Sequence, residues 1–145
     1  MAVLIVLFAS LLVYRAAGAL GVEWLDSWQT AARFALSTML FFTASAHFTR
    51  MREDLVRMMP PSFPWPRALV FFTGLCEIAG AVGLLLSPTR RAAGFALILF
   101  FIAVFPANIR AARSDLTLRG KPATALWLRA PMQLLFIFLA WWVSR

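Results

Sequence analysis

The stretch from Ala68 to Leu86 constrains the chain most, because it is almost wholly apolar and carries an acid, Glu77, at its middle. At 1.5 Å per residue such a run rises about 28 Å as a helix, the thickness of a bilayer's hydrocarbon. A charge buried there costs about 2.5–3.5 kcal/mol, so Glu77 must face other helices, find a partner or stay protonated. Gly74, Gly80 and Gly83 surround it, and small residues let neighbouring backbones approach closely. The stretch therefore predicts the central packing helix of a bundle.

A chain of 145 residues that is 62% hydrophobic, with mean hydropathy +0.81, is too apolar for an ordinary soluble domain and has room for one compact membrane domain. The net charge of +8 does not indicate nucleic acid. Its basic residues sit in short joints between apolar runs, where they set orientation in a membrane. A single cysteine, Cys76, excludes an internal disulfide and a Cys-x-x-Cys redox pair. One histidine and one cysteine on separate spans fall short of a metal site, and no nucleophile triad, phosphate loop or haem-binding pair is visible.

Five spans follow from the apolar runs. The first covers about residues 2–21, with no basic residues ahead of it to mark a signal peptide and with Arg15 reaching for the nearer interface. Asp26 or Ser27 can cap the second, about 31–48, which ends in Ser45-Ala-His-Phe48. A long joint, 49–67, carries four prolines in its second half and several greasy side chains; it predicts a short amphipathic turn followed by an extended interfacial segment. The Glu77 span comes next, then a span at about 92–109 ending in Phe105-Pro-Ala-Asn108, where Pro106 frees a carbonyl near the membrane edge. The last span, about 125–143, contains Arg129 and Gln133 on one face. The expected fold is all-α: an antiparallel four-helix transmembrane bundle over residues 31–143, with an additional N-terminal transmembrane helix in residues 1–22 packed outside it.

Charge sets the orientation. Arg50, Arg52, Arg57, Arg67, Arg110, Arg113, Arg119 and Lys121 fall on one side of five spans, against Arg15, Arg33, Arg90, Arg91 and Arg145 on the other. The first side is then cytoplasmic, with the N-terminus inside and the C-terminus outside. The predominance of arginine over lysine is compatible with a GC-rich bacterial gene.

Counting from the cytoplasmic edge, Glu77 lies about 14 Å deep, Gln133 about 12 Å and Arg129 about 6 Å, with His47 and Asn108 near the edge itself. All five fall in the cytoplasmic half, which leaves the outer half to dry packing. Taken singly, each has a structural reading: Arg129 as an ion-pair partner of Glu77, and His47 and Asn108 as caps on helix-end carbonyls. Taken together, an acid, a guanidinium, two amides and an imidazole at overlapping depth outline a binding pocket between helices: His47, Glu77, Asn108, Arg129 and Gln133. Glu77 there is a candidate proton donor or acceptor toward a carbonyl or quinol head, and Arg129 can hold an oxygen anion. Cys76 reads as a small packing residue.

Ser45-Ala-His-Phe48, Gly74-Leu-Cys-Glu77 followed by Gly80, Phe105-Pro-Ala-Asn108 and Arg129-x-x-x-Gln133, in this order, resemble the DoxX family of small bacterial membrane proteins over about residues 31–143. The resemblance implies a membrane component of an oxidoreductase assembly; the related DoxD type is a subunit of a thiosulfate:quinone oxidoreductase. It carries over the positions His47, Glu77, Asn108, Arg129 and Gln133. With one cysteine, a redox role needs quinone, the one cofactor implied, or the thiols of a redox protein partner. Two other readings stay open: acid–base chemistry on an isoprenoid or sterol-like lipid, and a non-enzymatic assembly or chaperone subunit. Whether the chain is an enzyme is not fixed by its sequence.

Overall fold

Only a helix satisfies every backbone group of a single chain segment in hydrocarbon, and the long apolar runs all adopt it. The computed structural model describes residues 2–113, 117–118, 121–122 and 125–145. It forms α1 (Ala2–Ala19), a 3-10 turn (Glu23–Leu25), α2 (Trp28–Phe48), α3 (Arg52–Met58), α4 (Pro66–Leu85), α5 (Arg90–Arg113) and α6 (Leu126–Val143). A two-residue antiparallel pair, Thr117–Leu118 with Lys121–Pro122, lies between α5 and α6. Arg119 and the side chain of Lys121, counted above for orientation, lie outside the described residues.

The long helices α2, α4, α5 and α6 close a ring: each packs on the next, and α6 returns to α2. This is the antiparallel four-helix bundle expected, and α1 packs against α2 from outside. Leu36, Met39 and Leu40 of α2 meet Ala81 and Leu84 of α4, Leu97 and Phe101 of α5, and Phe136 and Ala140 of α6 in one core. The outer faces stay apolar, with Ile5, Phe8, Phe72, Leu99, Leu134 and Phe138 among their exposed residues. A greasy exterior over a greasy core is the pattern of a bundle in lipid. Four helices, α1, α4, α5 and α6, are long and apolar enough to cross a membrane. The fifth expected span, α2, matches them in length but carries Arg33, Ser37 and His47, all buried against other helices.

That difference moves the centre of the fold. Ten of the 21 residues of α2 are buried, against six of the 20 in α4. α2 touches α1, α3, α4 and α6, so it is the hub, and the Glu77 helix is one wall of the ring. The physical reason is its sequence of small residues: Ala31, Ala32, Ala35, Ser37 and Ala44 present little bulk on several faces and admit a neighbour on each.

Helix ends also lie further out than the apolar runs suggest. α5 continues through Pro106 to Arg113, and Pro131 likewise sits inside α6. Proline removes one N–H from the ladder, which neighbouring helices can offset. At the same end of the bundle, α4 begins at Pro66, well beyond the end of α2. The space below α2 is filled by α3, which packs on both helices and buries Met58. This overhang sets the depth of the site.

Candidate functional site

Gly74 fixes the first half of the site. A Cβ added there would lie 2.6 Å from the Cβ of His47, so only glycine lets α2 and α4 approach as they do. His47 is thereby laid against α4 beside a residue eight positions past Pro66, about 12 Å along the helix. It is not an interfacial cap on its own helix. Its Nδ1 lies 2.6 Å from Val70 O, a carbonyl in the second turn of α4. The Thr73 hydroxyl donates to the same carbonyl at 2.9 Å and sits 3.3 Å from Nδ1.

These contacts determine the imidazole tautomer. A carbonyl oxygen only accepts, so Nδ1 carries the proton and Nε2 is left to face Glu77. Nε2 and Glu77 Oε2 are 3.7 Å apart, too far for a good hydrogen bond, and Oε2 is buried with no hydrogen-bond partner among the described residues. Two states suit this geometry: neutral imidazole facing a protonated carboxyl, or imidazolium facing carboxylate. In either state the pair shares one proton across two buried ends, an arrangement able to give or take a proton.

The second half lies between α5 and α6. Arg129 Nη1 donates to Asn108 Oδ1 at 2.9 Å, and Asn108 Nδ2 donates to Gln133 Oε1 at 3.4 Å. Gln133 Nε2 in turn donates to Phe101 O. That carbonyl adjoins the one on Ile102 that Pro106 leaves without an intrahelical donor. Asn108 is therefore a link in a chain across two helices and does not cap the end of α5, which runs on to Arg113.

The five residues are thus brought together in two groups, His47–Glu77 and Asn108–Arg129–Gln133. Among the described residues no hydrogen bond or ion pair joins the groups, and the partner of Glu77 is His47 rather than Arg129. Thr73 belongs with the first group and was not singled out in the sequence; its place one residue before Gly74 and four before Glu77 was the available signal.

A groove of about 930 Å³ opens between α4 and α5 beside the first group. Its floor is made of small residues, Ala79, Gly80, Gly83, Ala93, Ala96 and Ala103, and Thr73 and Cys76 bring polar atoms to its α4 wall. Met59, Pro60 and Phe63 line the end next to α3.

The opposite half of the bundle is not the dry packing expected. Arg33 on α2 is only 7% exposed and donates from Nε to Val143 O at 2.9 Å, while Gln29 Nε2 donates to Trp142 O at 2.7 Å. Ser37 donates to Ala81 O. A cation at the C-terminus of α6 meets the negative end of the helix dipole and satisfies carbonyls that have no intrahelical donor. The i, i+4 pair of Gln29 and Arg33 in an apolar span was the sequence signal. Arg15 reaches the same end of the bundle: Nη1 donates to Leu25 O at 3.2 Å, bonds Asp26, and the guanidinium lies 4.9 Å from the centre of the Trp28 ring.

Residues 36–144 match the model of a family described as Domain of unknown function (DUF8561). The chain belongs to this family. The matched region takes in most of α2 and all of α3 to α6, with every residue of both polar groups, and leaves α1 outside. No curated protein and no solved structure matches the chain.

Proposed function

We propose that this protein is a DoxX-like, multi-pass component of a quinone-linked redox system in a bacterial inner membrane, with its N-terminus in the cytoplasm and its C-terminus outside. The head of a lipid-soluble quinone binds next to the His47–Glu77 pair, and a redox protein partner supplies the electrons. The observation that carries this reading is the buried pair itself, with His47 Nδ1 against Val70 O and Nε2 3.7 Å from Glu77 Oε2. Quinone reduction takes up two electrons, which the partner supplies, and two protons, which the pair passes one at a time, taking up a fresh proton after the first. A buried donor beside an apolar groove is what that chemistry needs from a chain without an electron carrier of its own. Glu77 and His47 hold and pass the proton, and Thr73 orients the imidazole.

The test is native mass spectrometry with lipid identification on protein extracted in mild detergent, comparing wild type with Glu77→Gln. Quinone retained by the wild type and lost from the variant supports the reading. Equal retention, or none in either, refutes it. The same pair also suits proton transfer to and from an isoprenoid lipid without electron transfer. Turnover of such a lipid with no acceptor present would favour this second reading.

A further inference from the structure

The polar residues do not explain the groove between α4 and α5. Its two walls touch most closely near the joint between the helices, where a Cβ on Gly83 would lie 2.7 Å from the Cβ of Ala93 and one on Gly80 would lie 2.5 Å from Leu97. The lining continues on α5 as far as Ala103, Pro106 and Ala107, beside Met59 and Phe63. From Thr73 to Leu86 the α4 wall is about 20 Å long. A narrow, apolar trough with a floor of alanine and glycine fits a flexible hydrocarbon chain.

We infer that this groove holds the prenyl tail of the molecule whose head lies at Thr73 and Cys76, with the Thr73 hydroxyl, 3.3 Å from His47 Nδ1, between that head and the His47–Glu77 pair. The inference rests on the reading above and adds the tail as a determinant of binding. Two observations favour an uncharged prenyl lipid over a bulk phospholipid. Thr73 and Cys76 lie about 10 and 15 Å along α4 from Pro66, a depth at which a phosphate head would be stranded in hydrocarbon. The end of the groove nearest them is lined by Met59, Pro60 and Phe63, apolar side chains that offer a charged headgroup no partner. The tail then runs from Thr73 toward Thr89, whose hydroxyl is already committed to Gly83 O.

Cys76 is the single cysteine and lines the groove, so its alkylation reports occupancy. Protein in micelles is treated with N-ethylmaleimide and followed by intact mass, with a farnesylated benzoquinone whose ring is otherwise fully substituted and so does not add thiols, the same ring with a methyl in place of the tail, farnesol, or palmitoyl phosphatidylglycerol added at one concentration. The expected result is at least a tenfold slowing by the farnesylated quinone and little by the bare ring. In Ala96→Trp, and independently in Ala103→Trp, the added indole fills the trough and the farnesylated quinone no longer changes the rate. Equal protection by ring and tailed quinone, protection that survives in both variants, or equal protection by phosphatidylglycerol would each overturn the inference. Farnesol protecting as well as the quinone would leave the groove standing and refute the quinone head, so the two failures are distinguishable.

Discussion

Gly74→Ala tests the contact on which the site depends. Glycine inside a helix ordinarily costs about 1 kcal/mol relative to alanine, so on propensity alone the substitution stabilises α4. Here the new Cβ would lie 2.6 Å from His47 Cβ, 2.9 Å from its Cγ and 3.1 Å from Phe48 Cε2. The first of these atoms is fixed to the backbone of α2, so relief requires the two helices to separate. Overpacking of this kind costs about 1–3 kcal/mol. Moving His47 away from Val70 O costs about 1 kcal/mol more for the lost hydrogen bond. The net expectation is a loss of about 2 kcal/mol, read as a shift in SDS-titrated unfolding in mixed micelles. Because the nearest atom is a Cβ, His47→Ala should not relieve the clash, whereas His47→Gly should. In the His47→Gly background Gly74→Ala becomes stabilising by about 1 kcal/mol. A neutral or stabilising Gly74→Ala in the wild-type background would refute the close approach and, with it, the placement of His47 against α4.

Arg33→Met removes the donor to Val143 O and should cost about 1–2 kcal/mol, with faster hydrogen exchange confined to the last turn of α6. Unchanged exchange there would show that the guanidinium does not hold the helix end. Asn108→Leu strips Arg129 Nη1 and Gln133 Oε1 of the partner they share, so a loss of about 2 kcal/mol is expected in the same unfolding assay. In a Gln133→Leu background the penalty should shrink, and additive losses would mean the two side chains act separately. Tyr14→Phe deletes the 2.9 Å hydrogen bond between Tyr14 and Thr38, the polar tie between α1 and α2, and should cost about 1 kcal/mol without changing quinone retention.

Length and hydropathy made the helices legible, because a bilayer fixes how long an apolar run must be. They left the neighbours of each helix hidden. In water an apolar face marks the core, but in lipid Phe72, which is exposed, and Leu84, which is buried, look alike in sequence. The hub was misplaced for that reason: glycines drew attention to α4, while the alanines and polar residues of α2 carried the information. The depth of His47 was hidden for a different reason. It depends on α4 overhanging α2, and that overhang exists only because α3 tucks beneath α2, a tertiary fact with no local signature.

Polar residues are sparse in these helices, and most of them solve burial in one way. Arg33, Ser37, His47 and Gln133 each donate to a backbone carbonyl on a neighbouring helix, at Val143, Ala81, Val70 and Phe101. Each bond pins two helices and leaves its side chain accounted for. Asn108 and Arg129 bond to one another instead. A carboxylate cannot use the first solution, because an ionised acid has no proton to give a carbonyl. Glu77 can do so only when protonated, yet its Oε2 faces an imidazole nitrogen, not a carbonyl, and has no hydrogen bond among the described residues. An asparagine or serine would pack this wall at lower cost in desolvation. Among the described residues Glu77 is thus a buried acid that helix packing does not account for, and it lies on α4, whose Thr73 and Cys76 line the groove.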